Sequence, residues 1–245
     1  IGADALAANT TAANNTAVGY QALDANTTAG YNTAVGSGAL GAATTGANNV
    51  AMGYLAGTAI TTGEYNVALG IYALDANTTA SYNVAVGSHA LGKNTTGTNN
   101  VGIGYGSLSE ILTVDNNTAV GHVALTNSVG ANNTAVGASA LAANTTGTQN
   151  TAVGKDAGLS LTTATYTTLI GTFAGDAITT GTYNTAVGGA SLTATTTGSN
   201  NVAVGTSSLA ANTTASNNTG LGFEALGANT TGAGNTAVGR LALDA

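Results

Sequence analysis

A glycine preceded by an aliphatic residue returns at a fixed interval along the whole chain: Gly2, Gly19, Gly36, Gly53, Gly70, Gly87, Gly104, Gly121, Gly137, Gly154, Gly171, Gly188, Gly205, Gly222 and Gly239. Every step is 17 residues except the one from Gly121 to Gly137, which is 16 and lacks one residue between Leu125 and Asn133. A short fixed period is the signature of stacked repeats that contact only their neighbours. Seventeen residues are too few for two packed helices. A typical unit, Asn15 to Tyr31, reads N-T-A-V-G-Y-Q-A-L-D-A-N-T-T-A-G-Y. N-T-A-V-G has the β-branched content and alternation of a strand. A-L-x-A-N-T-T reads as a second strand or extended edge, and T-G-x-N as a turn. The expected fold is therefore all-β, a parallel β-solenoid of about 14 coils of 17 residues. One continuous array covers residues 1–245 and reads as an excerpt of a longer fibrous protein.

Composition agrees. Charged residues are 5%, against about 25% in ordinary domains. The chain has no Pro, so every residue carries a backbone N–H for ladder pairing. The formal charge is −7, and the only bases besides His are Lys93, Lys155 and Arg240. That leaves no basic stripe for nucleic acid and no polybasic patch for a membrane surface. No run of 18 apolar residues occurs, so no membrane insertion is expected of this segment.

Because the repeat supplies its own columns, each position can be read for burial. Around each Gly, the residues three and one before it (Val50 with Met52, Val84 with Val86, Val101 with Ile103) are expected to face inward, together with the Leu four after it. In three units Gly57, Gly158 and Gly175 replace that Leu, while Ile60, Leu161 and Ile178 appear three residues later. Such compensation is what a core that must stay filled requires. The Asn four before the Gly occupies thirteen of fourteen units, Thr167 being the exception, and is expected to form a stacked ladder from coil to coil. By the same alternation the residue between the two large ones faces outward. It is Ala17, Ala34, Ala51, Ala68, Ala85, Ala119, Ala135, Ala152, Ala186, Ala203 and Ala237, with Gly102, Gly220 and Leu169 in the other units. A uniformly small apolar outer column implies close packing, so these alanines are expected to form a subunit interface of a homo-oligomer.

N-T-A-V-G and N-V-A-V-G, recurring with A-L-x-x-N-T-T-G over the whole chain, resemble the head repeats of YadA-like trimeric autotransporter adhesins and the repeat region of bacteriophage tail fibres. The resemblance implies a left-handed β-roll in a homotrimeric fibre. It also implies an extracellular, cell-surface or virion location and an adhesive or receptor-binding role. The 17-residue unit is longer than the adhesin head repeat.

No catalytic, cofactor-binding or metal-ligating residue is assigned. His89 and His122 belong to units two coils apart, and Asp24, Asp75, Asp176 and Asp244 share a column in widely separated coils. At about 4.8 Å per coil these acids are too far apart to work as a glycosidase pair. The chain therefore reads as non-enzymatic, a structural or adhesive segment, with a purely architectural filament or sheath as the alternative. Thr-Thr pairs such as Thr27-Thr28 and Thr61-Thr62 raise a weaker ice-binding reading, but adjacent strand residues point to opposite faces. Sequons such as Asn26, Asn77 and Asn144 read as turn residues.

The two positions after each Gly vary most and are expected to face solvent. They hold Tyr20, Tyr54, Tyr72, His89, Tyr105, Phe173 and Phe223, a candidate ridge for a host receptor or glycan, because aromatic side chains anchor recognition surfaces.

Overall fold

The computed structural model describes residues 1–244, which wind into the coils of a parallel β-solenoid with no helix. The chain divides into two compact units, residues 1–122 and the residues from 123 on. The division falls in the 16-residue step. Unit 1 contributes one three-residue strand per coil: β1 (Thr16–Val18), β2 (Thr33–Val35), β3 (Val50–Met52), β4 (Val67–Leu69), β5 (Val84–Val86), β6 (Val101–Ile103) and β7 (Thr118–Val120). Unit 2 contributes β8 (Thr134–Val136), β9 (Thr151–Val153), β10 (Thr168–Ile170), β11 (Thr185–Val187), β12 (Val202–Val204), β13 (Thr219–Leu221) and β14 (Thr236–Val238). Within each unit consecutive strands pair in parallel and in perfect repeat register, Ala17 beside Ala34 and Ala186 beside Ala203.

The expected second strand is absent. The residues two and four after the Gly, such as Gln21 and Leu23 or Tyr72 and Leu74, lie in the left-handed region with φ from 52° to 55°. Alternating left-handed residues cannot run as extended chain. The stretch still bonds coil to coil: Leu40 N–H donates to Ala56 O at 3.0 Å and Ala42 N–H to Thr58 O at 3.0 Å. Backbone bonding between coils offsets the local cost of left-handed residues, about 1–2 kcal/mol each.

The interior is narrow, and this reverses the expected facing of the strand. Ala34, Ala51, Ala85, Ala119, Ala135, Ala152, Ala186 and Ala203 are fully buried in the chain's own core, and Ala17, Ala68 and Ala237 nearly so. The Thr or Val before each and the aliphatic residue after it are half-buried or exposed. The alanines are thus core, not a free subunit interface, and residues such as Val84 with Val86 and Val101 with Ile103 are the outer face. A coil this thin cannot hold two branched side chains from its strand and also the Leu from the facing turn. Opposite a Leu only a small residue fits at native packing density, Ala in most coils and Gly at Gly102 and Gly220. Leu169 shows the shared volume. It stands in the Ala column, is fully buried, and packs where Gly158 and Gly175 lack their Leu. A Cβ added at either glycine would lie 2.7 Å from a Leu169 methyl.

The Leu column faces inward as expected, with Leu23, Leu40, Leu74, Leu91 and Leu141 at 0% exposure. Ile60, Leu161 and Ile178, the compensating residues, are equally buried. The Asn column is also interior, but its ladder is mostly side chain to backbone. Asn32 Oδ1 accepts the Asn49 backbone N–H at 2.8 Å, and Asn49 Nδ2 donates to the Gly63 carbonyl at 2.8 Å. Asn66, Asn83, Asn100 and Asn117 extend the same pattern through unit 1. Direct amide-to-amide bonds occur at Asn66 to Asn49, 3.1 Å, and Asn150 to Asn133, 3.2 Å. Sequon residues Asn26, Asn77 and Asn144 are buried and donate to the carbonyl three residues on, as turn residues do. In the short step Ser128 takes the place of such an Asn, bonding Gly130 O at 3.0 Å and accepting from Asn144 Nδ2 at 3.1 Å. Val129 N–H bonds Thr145 O, so the missing residue is the second Thr of the pair.

Candidate recognition surface

The turn after each strand lifts two side chains clear of the coil. Gly70 begins that turn with φ +137°, and the residue two later, Tyr72, is left-handed at φ 55°. Because the backbone repeats, side chains at these positions superimpose from coil to coil and meet their counterparts in the next. In unit 1 this produces a continuous ring ladder. Tyr54 meets Tyr72 edge to face at 5.5 Å between centroids and 80° between planes. Tyr72 meets His89 at 5.3 Å and 40°, and His89 meets Tyr105 at 6.1 Å and 61°. Tyr105 stacks on His122 at 5.5 Å and 14°. Five rings therefore stand in five successive coils. Tyr54 and Tyr105 are 48% and 57% exposed, and Tyr72 is half-buried between its neighbours.

Of the seven expected ridge residues, Tyr54, Tyr72, His89 and Tyr105 are brought together. His122 completes the ladder and was not among the seven, although it occupies the same variable position one coil after Tyr105. Tyr20 is exposed two coils before Tyr54 in the chain. Phe173 and Phe223 belong to unit 2, where the chain's own cations cover them: Lys155 Nζ lies 5.1 Å from the Phe173 ring centre and the Arg240 guanidinium 5.6 Å from that of Phe223. Two further stacks were missed, Tyr65 on Tyr82 at 5.2 Å and 2°, and Tyr166 on Tyr183 at 5.2 Å and 4°. Their signal was present, since each pair is 17 residues apart in one column.

Comparison with family models, with curated proteins and with solved structures returns no match for this chain. What the surface can do therefore rests on its own chemistry. Ser88 Oγ and His89 Nδ1 share a hydrogen bond at 2.8 Å, which restrains the imidazole. Asp75 lies within electrostatic reach of Tyr72 and His89. Partial burial pushes the Asp75 carboxyl above its ordinary range, against the opposing pull of its own backbone N–H and of His89. The Tyr72 phenol is also pushed up, by desolvation first and then by Tyr54 and Asp75.

The Asp75 shift has a sign that can be checked. A carboxyl whose folded pKa is raised binds its proton more tightly folded than unfolded, so it destabilises at neutral pH and ceases to do so as pH falls through the ordinary carboxylate range. Asp75→Asn is expected to raise the urea midpoint at pH 7 and to leave it unchanged near pH 3. A midpoint lowered at pH 7 would mean that the carboxylate is a net stabiliser there.

The Thr-Thr pairs of the repeat stand in bends outside the strands, and their two members play different parts. The first hydroxyl donates to the same position one coil on, Thr61 Oγ1 to Thr78 O at 3.0 Å and Thr162 Oγ1 to Thr179 O at 3.1 Å. The second, as at Thr28 and Thr62, is exposed. Both members are exposed at Thr10-Thr11, Thr145-Thr146 and Thr230-Thr231 and only the second in the other pairs, so the pairs present one column of exposed threonines rather than the two that an ice lattice would need. Among the described residues no helix is long and apolar enough to cross a membrane.

Proposed function

We propose that this chain is a structural and adhesive repeat segment of a fibre, and that its copies associate through the outer face of the three-residue strands. One observation carries the reading. In every coil the residue after the buried strand centre is Val, Met, Leu or Ile, and in register these side chains form an aliphatic strip on each unit. Met52, Ile103, Ile170 and Leu221 are between 38% and 46% exposed on it. Contiguous exposed apolar surface marks a contact site, and flat parallel strands present it without gaps. The surface replaces the alanine column as the expected interface. Three copies around an axis, a left-handed wind and an extracellular or virion location follow from the resemblance to trimeric adhesin heads and tail-fibre repeats. The aromatic ladder, which follows the strip residue by two or three positions in each of its coils, is the adhesive element.

The test is sedimentation velocity on the native chain and on Val35→Glu combined with Leu69→Glu. Both residues are partly exposed, so the variant is expected to keep the native circular dichroism and sediment as a monomer where the native chain is an oligomer. An oligomer of unchanged mass in the variant, or a native chain that stays monomeric at high concentration, overturns the reading.

A further inference from the structure

We propose that the ladder Tyr54–Tyr72–His89–Tyr105–His122 binds an extended, neutral, β-linked polysaccharide lying across successive coils. The proposal rests on the adhesive reading above and names its ligand class. Coil spacing carries it first. Adjacent rings are 5.3 to 6.1 Å apart, one per coil. An extended β-1,4-linked pyranose chain repeats at nearly the spacing of parallel strands, so consecutive sugars meet consecutive rings in register. A globular protein partner without stacked repeats has no such translational repeat.

Ring orientation adds a second reason. Planes in the ladder are tilted by 80°, 40° and 61° before the final stacked pair. An edge-to-face contact occupies one face of one ring of a pair and leaves both faces of the other ring uncovered by that contact, so apolar ring surface remains for the C–H faces of sugars, with phenol and imidazole edges to bond their hydroxyls. The Tyr65–Tyr82 pair is face to face at 2°, and each ring hides one face of the other.

Charge selects the neutral class. The only Lys or Arg in unit 1 is Lys93, held by Glu110 at 2.5 Å, and the chain amine donates to the Ala17 carbonyl. With a chain charge of −7, uronate and sulfated polymers are repelled. In unit 2, Lys155 and Arg240 cover aromatic rings at the equivalent positions, so binding is confined to unit 1. The ladder stands on backbone bonded coil to coil, so little ordering cost remains on binding.

Affinity electrophoresis through gels containing hydroxyethylcellulose, mixed-linkage β-glucan, amylopectin or polygalacturonate tests the proposal on the full chain. The expected result is retardation by the two β-glucans alone. Tyr54→Ser with Tyr72→Ser and Tyr105→Ser should weaken it at least about tenfold, and Tyr65→Ser with Tyr82→Ser should not weaken it. Circular dichroism of each variant must match the native chain. Retardation by polygalacturonate, no retardation by any β-glucan, or equal retardation of the ladder variant overturns the proposal. Sedimentation of the same samples separates the two readings: an assembled fibre that ignores β-glucan overturns the ladder alone, and a monomer that binds it overturns the self-association alone.

Discussion

Ala85→Glu is expected to unfold the coils around β5, whereas Val86→Glu, one residue along, is expected to leave the fold intact. Ala85 has no exposed surface, and Val86 is half-buried on the outer face. The strand column to which Ala85 belongs shares its volume with the Leu column, as Leu169 against Gly158 and Gly175 demonstrates. A carboxylate there would sit among hydrocarbon with no partner, and such burial costs several kcal/mol out of a total stability of about 5–15 kcal/mol. Urea unfolding followed by circular dichroism should show the transition of Ala85→Glu lost or shifted far down, with that of Val86→Glu near native. Similar midpoints for the two variants would show that the strand does not have the facing described here.

Gly70→Ala is expected to have an effect nearly as large, without any charge. Gly70 has φ +137°, and an added Cβ would lie 2.7 Å from the carbonyl carbon and oxygen of Gly87 in the next coil and 3.0 Å from Ser88 N. Backbone in that region costs a side-chain-bearing residue about 1–3 kcal/mol, and the overpacking adds about 1–3 kcal/mol. The next glycine stands in the same relation to its neighbour, Gly87 to Gly104 at 2.7 Å. The clash cannot be relieved by local motion, because the facing atoms are backbone. In a stacked repeat, loss of one interface divides the cooperative unit, so the melt is expected to broaden as well as to move down. A melt of native midpoint and width in Gly70→Ala would mean that the glycines are a composition bias rather than a packing requirement.

Much of the architecture could be read from the spacing of residues. The 17-residue step implies one coil per repeat, and the strands pair 17 apart. The exchange of Leu for Gly57, Gly158 and Gly175 with Ile60, Leu161 and Ile178 marked an inward volume, and all three compensating residues are buried. Variability marked the outward turn positions, and four of the seven ridge residues meet there. Neither the tilt of those rings nor the cations over Phe173 and Phe223 could be read, since ring geometry depends on rotamers rather than on position in the repeat.

The facing of the strand was decided by the fold. Alternation says that Thr16 and Val18 share a face and Ala17 takes the other, but it is unchanged when the two faces are exchanged. With only three residues per strand, no second alternation breaks the tie, and the size of the side chains points to the wrong face. Leu169 held the missing information: the one large residue in the Ala column lies between the two consecutive coils whose Leu is Gly. What settles the choice is the width of the closed coil. Its turns bring Leu23 and its counterparts across a gap that leaves room for a methyl group and not for Val, so the branched residues are driven to the outside of a sheet that can present them only to solvent or to another chain.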